Sequence, residues 1–323
     1  MQKLNELVSV IIPTHKRPVH LKRAIDSVLN QSYSHLEIIV VDDNNDGDTY
    51  RKETELLMNS YQHNDVIYYV KHKSNRNGAA ARNTGIRSSR GGYLAFLDDD
   101  DIYLPNKVAN QVLKLRSLSV EWGACCCFHQ RRYKQYIYKM IDLQEVPSGD
   151  YTYEFLSGKT SITSSTLLVR RGVFDEVGLF DETFERHQDW EFLVRFFRQH
   201  KMAVDPTYSV HMQTEGFRNY PSAEKALQLR TKFLKTFEAD IMAFPESKWK
   251  SILHYQWLHV ACLFVRERKF RKSMGLIKRY VLPYKTSLTK DFAQVVFFFL
   301  DGVFPGFNVL YYKIVSRVSY RNK

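Results

Sequence analysis

The sequence predicts an α/β protein that is built on a mostly parallel sheet and is followed by a region of helices. Two observations predict the sheet: four short apolar, β-branched runs recur in the first third of the chain, and helix-like segments separate them. From about Tyr220 onward, apolar residues recur at helical spacing instead. Mostly parallel sheets are covered on both faces and bind ligands at the carboxyl ends of their strands, so functional residues are expected there.

The first four predicted strands lie at residues 8–13, 37–42, 66–70 and 93–98. Pro18 is suited to open a helix after the first strand, because a first-turn residue needs no backbone N–H. A second helix is predicted between the third and fourth strands, at residues 79–89. Later in the chain, helices are predicted at residues 105–118 and 188–199, and strands at residues 122–128, 135–141, 164–169 and 208–212.

The helical region is predicted to begin near residue 220. Apolar stripes at residues 249–264 and 270–281, joined by a basic turn at residues 266–269, predict a helical hairpin. We therefore place an α/β domain at residues 1–219 and a helical, basic region at residues 220–323.

The positive charge of the chain is concentrated in this second region. The formal net charge is +12, yet residues 1–200 hold 26 basic and 26 acidic side chains, and residues 201–323 hold 21 and 9. The last 58 residues carry 13 basic and 3 acidic side chains. This asymmetry indicates either a surface that meets an anionic partner or a solubilising face.

Composition indicates an ordinary globular protein, with 44% hydrophobic and 25% charged residues. Three of the four cysteines are consecutive, a spacing that suits neither a disulfide framework nor a zinc site, and a reducing compartment fits best. The first apolar run, residues 7–13, is too short for the core of a signal peptide, so export is not expected.

The strongest chemical signal is the acid cluster, Asp98 to Asp101, at the end of the fourth strand. Adjacent carboxylates repel one another, so the cluster is costly unless a positive group joins them. Mg²⁺ and Mn²⁺ prefer oxygen ligands and often bridge a carboxylate to substrate phosphates. The alternative is a loop that caps the helix opened by Pro105.

Two other strand ends carry polar groups that would suit a nucleotide. Pro13 and Thr14 end the first strand and are followed by His15-Lys16-Arg17. A helix N-cap at Thr14 is the alternative. Asp43, at the end of the second strand, would accept hydrogen bonds from a uracil imide or from ribose hydroxyls.

Arg82 lies one turn into the helix that follows Gly78, where a cation would suit a diphosphate. The alternative is a surface arginine paired with an acidic neighbour. The surrounding glycines match neither a P-loop nor the dinucleotide-binding fingerprint, which argues against ATPases and oxidoreductases.

Together, these four segments resemble the family 2 glycosyltransferases of the GT-A fold, a Rossmann-like α/β fold with a mostly parallel mixed sheet and flanking helices. The resemblance covers roughly residues 5–215. It implies a nucleotide-binding half at about residues 1–105 and an acceptor half at about residues 106–219. It further implies inverting transfer of a hexose or N-acetylhexosamine from a UDP-sugar to a glycan hydroxyl, with Mn²⁺ or Mg²⁺ as cofactor.

The resemblance also assigns roles to individual residues. Thr14 and Asp43 would contact the uridine, Arg82 the base or diphosphate, Asp98 the ribose, and Asp100 the metal. Pro13 and Asp99 complete the predicted donor nucleotide site.

The catalytic base implied by the resemblance is Asp189, in the segment His187-Gln188-Asp189-Trp190-Glu191. Gln188 replaces the glutamate that is usual in the family. An inverting transfer needs one carboxylate to take the proton of the acceptor hydroxyl. A helix N-cap is the alternative for Asp189.

Three further residues are predicted to belong to the site. Trp190 and Glu191 are predicted on the acceptor side of the site. His211 matches a position near the metal or diphosphate, and its alternative is a structural histidine.

The C-terminal tail is predicted to lie on a membrane surface. Residues 292–300 are mostly apolar and aromatic, and residues 303–318 add the cations Lys313 and Arg317 to such residues. Asp301, Gly302 and Pro305 interrupt any span long enough to cross. Docking on the body as plain core is the alternative. A lipid-linked acceptor of bacterial O-antigen, capsule or lipopolysaccharide synthesis would place a cytoplasmic enzyme peripherally on the inner face of the plasma membrane. The oligomeric state stays open.

Two other functions would fit part of the sequence. A sugar nucleotidyltransferase shares the sheet and the carboxylates, but it needs a glycine-rich loop where this chain has Thr14-His15-Lys16-Arg17-Pro18. A nucleic-acid-binding protein is suggested by the basic balance alone, and the neutral first 200 residues argue against it. No nucleic-acid partner is therefore expected.

Overall fold

The computed structural model describes residues 6–133, 136–139, 149–213 and 221–284. The chain divides into two compact units, Met1–Thr152 with Ser161–Gly216, and Tyr153–Thr160 with Phe217–Lys323. The predicted tail segments at residues 292–300 and 303–318 lie outside the described residues.

The first unit contains a sheet in which the described strands run in the order β3-β2-β1-β4-β8-β6-β9-β5, with β7 paired to β6. The strands are β1 (Val8–Thr14), β2 (Leu36–Asp42), β3 (Ile67–Lys71), β4 (Tyr93–Phe96), β5 (Asp101–Tyr103), β6 (Trp122–Tyr133), β7 (Tyr136–Lys139), β8 (Leu167–Arg170) and β9 (Lys201–Gln213).

Parallel pairing dominates this mixed sheet. Strand β1 runs parallel to both β2 and β4, with Val8 opposite Leu36 on one side and Tyr93 on the other. The long strands β6 and β9 are also parallel, whereas β8 is antiparallel to β4 and β6. The predicted α/β class is confirmed, and the carboxyl ends of β1, β2 and β4 meet at one edge.

The described α-helices are α1 (Pro18–Leu29), α2 (Thr49–Asn59), α3 (Gly78–Ser88), α4 (Lys107–Arg116), α5 (Thr152–Leu156), α6 (Gly172–Glu176), α7 (Gln188–Phe197), α8 (Ala223–Thr236), α9 (Glu238–Met242), α10 (Glu246–Arg266) and α11 (Phe270–Leu276). As predicted, α1 begins at Pro18, and α10 and α11 follow the two apolar stripes of the hairpin.

Both faces of the sheet are buried, as a mostly parallel sheet requires. On one face, Val10 and Ile12 of β1 join a core that includes Leu21 of α1 and Val108 of α4. On the other face, aromatic rings cover Phe96, whose ring centroid lies 6.0 Å from that of Phe174 and 5.4 Å from that of Phe180. Because helices cover both faces, ligands must approach at the strand ends.

Some elements differ from the sequence predictions. Strands β6 and β9 are longer than predicted, because they pair with each other over most of their length. Helix α2 was not predicted; Asp48 precedes it and accepts a hydrogen bond from the Tyr50 N–H at 3.1 Å. Strand β5 is the three-residue edge that carries Asp101, and it pairs with β9.

The second unit is helical. Helix α10 packs against α8 through Ala226, Val260 and Phe264, and the Ser273 hydroxyl of α11 donates to the Ala261 carbonyl of α10 at 2.9 Å. A π-helical turn and a 3₁₀ turn follow, at Ile277–Val281 and Leu282–Tyr284. In the described part of the chain, none of the helices has the length and apolar character that crossing a bilayer requires.

Candidate active site

The acid cluster lies in the sharp turn between β4 and β5. The Asp101 N–H donates to the Asp98 carbonyl at 2.9 Å, which closes the turn. Ser165 stabilises the turn at both ends. Its hydroxyl donates to Asp101 Oδ2 at 2.6 Å, and its hydroxyl oxygen accepts from the Asp98 N–H at 3.1 Å. The four carboxylates are therefore held together by backbone geometry.

Asp99 connects the acid cluster to the end of β1. The Thr14 hydroxyl donates to Asp99 Oδ2 at 2.8 Å, and the His15 N–H lies 3.4 Å from the same oxygen. Burial raises the pKa of Asp99 to about 7, although the nearby Arg17 acts in the opposite direction. Helix α1 begins at Pro18 with Arg17 before it, so the N-cap alternative for Thr14 is not observed.

The remaining charges of the cluster act on one another. The Arg17 guanidinium pairs with Asp99 at 3.1 Å and also with Asp100. Burial, with Asp98 next in importance, raises the pKa of Asp100 and raises that of Asp101 well above its usual range. The cluster thus lacks sufficient positive charge to balance its carboxylates.

Helix α3 brings Arg82 to Asp98, the first residue of the cluster. Its Nη2 donates to Asp98 Oδ1 at 2.5 Å, and its Nη1 donates to Gln188 Oε1 at 2.9 Å. The residue is only 8% exposed, which excludes the surface alternative. Gly78 leaves room for this contact, because a Cβ there would lie 3.1 Å from both Arg82 Nη1 and Gln188 Oε1.

Asp189 lies in the first turn of α7, where a carboxylate is favoured by the helix dipole. His187 precedes the helix in a left-handed conformation with φ 59°, and Asp189 Oδ1 accepts from the Trp190 N–H at 3.0 Å. Burial raises the pKa of Asp189 to about 6, opposed by Arg82 and reinforced by Asp98. Asp189 is therefore part of the same charged group as Arg82 and Asp98.

Asp43 lies at the end of β2 in a network of its own. Its Oδ1 contacts His72 Nδ1 at 2.7 Å and accepts from the Arg76 N–H at 2.8 Å. Its Oδ2 accepts from the Asn75 side-chain amide at 2.8 Å. The carboxylate thus fixes the loop between β3 and α3, and its predicted contact with uridine stays a prediction.

The other predicted site residues occupy varied surroundings. His211 lies in β9 opposite Ile102 and contacts the Gln130 side chain. Glu191 is buried and binds Arg195 through both oxygens, at 2.5 and 2.8 Å. The roles of these residues stay predictions. The role of Trp190 also stays a prediction, and its ring centroid lies 4.8 Å from that of His187. The same holds for Pro13, which lies next to Thr14 near the end of β1.

The acid cluster fits a divalent cation. Its carboxylate oxygens are the hard donors that Mg²⁺ and Mn²⁺ prefer. Burial and repulsion between carboxylates raise the pKa of Asp99 and Asp100, and a bound cation would offset the cost of keeping these groups ionised. Within the described residues, no group of three or more His, Cys, Asp or Glu side chains forms a metal site. The acid cluster therefore suits a cation that is held by one or two carboxylates and by the phosphates of a substrate.

Sequence reasoning left out three residues of this network. Arg17 lies in the loop between β1 and α1 and had no predicted role, although a cation beside a strand end was a usable signal. Ser165 and His72 carried no signal, because their partners Asp101 and Asp43 are 64 and 29 residues away along the chain. Only the packing of the sheet brings these pairs together.

The chain resembles known proteins over most of its length. Residues 9–178 match the model of Glycosyl transferase family 2. An uncharacterized glycosyltransferase of Rickettsia typhi is 32% identical over 284 residues, which cover 84% of this chain and 83% of that protein. The amylovoran biosynthesis glycosyltransferase AmsB of Erwinia amylovora is 28% identical over 220 residues, 64% of this chain and 70% of that protein.

Among solved structures, S. aureus TarS 1-349 in complex with UDP-GlcNAc aligns with a TM-score of 0.55 at 14% identity, over 91% of this chain and 90% of that one. This likeness shows the fold, which is of the GT-A type predicted from the sequence. The family match covers more than half of the chain, so the chain belongs to glycosyltransferase family 2.

Proposed function

We propose that this protein is an inverting, metal-dependent glycosyltransferase that moves a hexose or N-acetylhexosamine from a UDP-sugar to a hydroxyl of a glycan acceptor. One observation carries the proposal: Arg82, at the edge of the sheet where the parallel strands end, contacts Asp98 of the acid cluster and acts electrostatically on Asp189. Donor and acceptor groups would thus meet at one site.

The donor half of the site consists of Pro13, Thr14, Asp43, Arg82, Asp98 and Asp99. In it, Thr14 fixes Asp99, and the Arg82 guanidinium, held by Gln188, presents a positive charge beside Asp98. Asp100 would hold Mn²⁺ or Mg²⁺, with His211 as a second candidate ligand, and the cation would stabilise the charge of the departing diphosphate. Arg82 would add to that stabilisation.

On the acceptor side, with Trp190 and Glu191 nearby in the sequence, Asp189 would take the proton of the attacking hydroxyl. A pKa of about 6 leaves the carboxylate mostly ionised at neutral pH yet more basic than an ordinary aspartate, which suits a general base. Its backbone contact to Trp190 fixes one oxygen, so the other oxygen is the one that would face the acceptor.

The comparisons favour a donor and an acceptor class. TarS was crystallised with UDP-GlcNAc, and AmsB is named for the biosynthesis of a polysaccharide, amylovoran. By likeness, we assign this chain a UDP-sugar donor and an acceptor of bacterial polysaccharide synthesis. The basic C-terminal region is our reason for proposing that this acceptor is carried on a lipid. Such an acceptor would place the enzyme in the cytoplasm, peripherally on the inner face of the plasma membrane.

The proposal is tested by measuring UDP release from a panel of UDP-sugars, with Mn²⁺, Mg²⁺ or EDTA present. We expect one sugar to be turned over in a metal-dependent way, because the unbalanced acid cluster needs a cation before it can accept a diphosphate. Calorimetry should also show UDP binding weakened by Asp100→Ala and retained by Asp175→Ala, which alters an exposed residue of α6. Equal UDP affinity in Asp100→Ala and the parent would disprove the metal assignment.

A further inference from the structure

We propose that Arg17 is a built-in counter-ion that competes with the divalent cation for Asp99 and Asp100, so that the cation binds weakly until the donor is present. The inference rests on the proposed function only in placing a cation at Asp100. It concerns how the protein controls access of that cation to the acid cluster.

The competition follows from which oxygens Arg17 uses. A single guanidinium nitrogen, Nη1, contacts Asp99 Oδ1 at 3.1 Å and also Asp100 Oδ2. Both oxygens are hard donors of the kind a divalent cation would take. Guanidinium and metal therefore cannot use the same lone pairs at the same time.

The loop before α1 holds Arg17 in place. Lys16 adopts a left-handed conformation with φ 61°, and its N–H donates to Asn44 Oδ1 at 2.8 Å. Thr14 and the His15 N–H bind Asp99, and Pro18 starts the helix directly after Arg17. The backbone on both sides of Arg17 is thus fixed, which directs the side chain to the carboxylates.

Exposure shows which partner is free to leave. The Arg17 side chain is 40% exposed and that of Asp100 is 33% exposed, whereas that of Asp99 is 5% exposed. Arg17 is therefore able to move into solvent, while Asp99 cannot move out of the protein. A partly exposed ion pair contributes little net free energy, so a divalent cation with phosphate ligands is able to replace it.

Displacement of Arg17 would couple the cation to the donor. The donor diphosphate supplies extra ligands to the cation, and it also attracts the released guanidinium, which forms strong hydrogen bonds with phosphate oxygens. Each ligand thus assists the other, and linkage makes the assistance mutual. In the donor-free enzyme, Arg17 would offset part of the negative charge of the acid cluster.

The test measures Mn²⁺ binding to the full, nucleotide-free protein by calorimetry. We expect Arg17→Gln to bind Mn²⁺ about tenfold more tightly than the parent, because a competing charge beside the carboxylates is removed. Lys16→Gln is the matched control, since it removes a charge from the neighbouring residue and keeps the backbone contact to Asn44. Circular dichroism checks that each variant is folded, and Arg17→Lys, which keeps the charge, should bind Mn²⁺ at nearly the parental affinity.

Three outcomes would each overturn this inference, and they differ in what they leave of the proposed function. Equal Mn²⁺ affinity in the parent and Arg17→Gln, together with loss of binding in Asp100→Asn, would overturn the competition and leave the metal site standing. Tighter binding in Arg17→Gln that persists in Arg17→Gln/Asp100→Asn would place the cation elsewhere and overturn both. If Lys16→Gln bound Mn²⁺ as tightly as Arg17→Gln, the loss of any nearby positive charge would explain the higher affinity. That result would overturn the specific role of Arg17.

Discussion

At the scale of single residues, the site depends on how charges are shared around Arg82 and Arg17. Arg82 contacts Asp98 and opposes the rise that burial causes in the pKa of Asp189, and Arg17 contacts Asp99 and Asp100. Two cations thus face five carboxylates when Asp101 is included. This imbalance is the physical reason for expecting a divalent cation, whereas the raised pKa of the proposed base, Asp189, comes mainly from burial.

Asp189→Asn should lower the turnover rate by about 10²–10⁴-fold and leave UDP binding unchanged. An asparagine keeps the acceptor oxygen that binds the Trp190 N–H but cannot take a proton, so the variant isolates the chemical role from the structural one. Steady-state kinetics and UDP calorimetry are the measurements, with Asp175→Asn as a surface control on α6. Parental turnover in Asp189→Asn would remove this residue from the mechanism.

The same carboxylate predicts a pH dependence. Burial raises the pKa of Asp189 to about 6, so the base is ionised above that pH and becomes protonated below it. We therefore expect kcat/KM to fall as the pH drops below about 6, by tenfold for each further pH unit. A rate that holds steady down to pH 4.5 would contradict this assignment.

At the scale of elements, the site is formed by strand ends that parallel pairing brings to one edge. Strands β1, β2 and β4 end beside one another, and α3 and α7 begin at the same edge. Close packing of α3 on β1 keeps Arg82 in reach of Asp98. Gly85, one turn after Arg82, permits this packing.

Gly85→Ala should lower the free energy of unfolding by about 1–3 kcal/mol, the usual cost of overpacking a core. An added Cβ would lie 2.3 Å from Ile11 Cγ2, and Ile11 is fully buried, so the helix or the strand must shift. Chemical denaturation of the variant is the measurement. Gly92→Ala is the matched control, because a Cβ there meets nothing within 4 Å. Equal losses in both variants would show that packing against Ile11 is not the cause.

At the scale of the whole molecule, the two regions differ in charge. The neutral first 200 residues include the site, and the excess of basic side chains follows them. A basic surface with interspersed apolar residues is typical of proteins that bind anionic lipid, which is where a lipid-linked acceptor would be found.

Removal of residues 291–323 should reduce cosedimentation with vesicles that contain anionic phosphatidylglycerol. Vesicles of phosphatidylcholine alone serve as the control, and the binding should weaken as salt rises, because screening reduces attraction between exposed charges. Unchanged cosedimentation of the truncated protein would refute the membrane interpretation. A lowered melting temperature with unchanged cosedimentation would instead indicate that the tail packs on the body.

Sequence patterns alone predicted a large part of this protein. The apolar runs of β1, β2 and β4, the proline that begins α1 and the stripes of α10 and α11 are local signals, because period and turn chemistry act over a few residues. The short strand β5 and the helix α2 were not predicted. Strand β5 is three residues long, and it forms only because β9 offers a partner.

The sequence by itself determined the α/β class, the family resemblance and the position of the acid cluster, since each depends on residues that are neighbours along the chain. Tertiary structure alone decided that Ser165 supports the cluster, that Gln188 orients Arg82 and that Arg17 pairs with Asp99 and Asp100. The physical reason is distance along the chain: these contacts join residues 64 to 106 positions apart, and only the pairing of strands and the packing of α3 and α7 bring them within hydrogen-bond range.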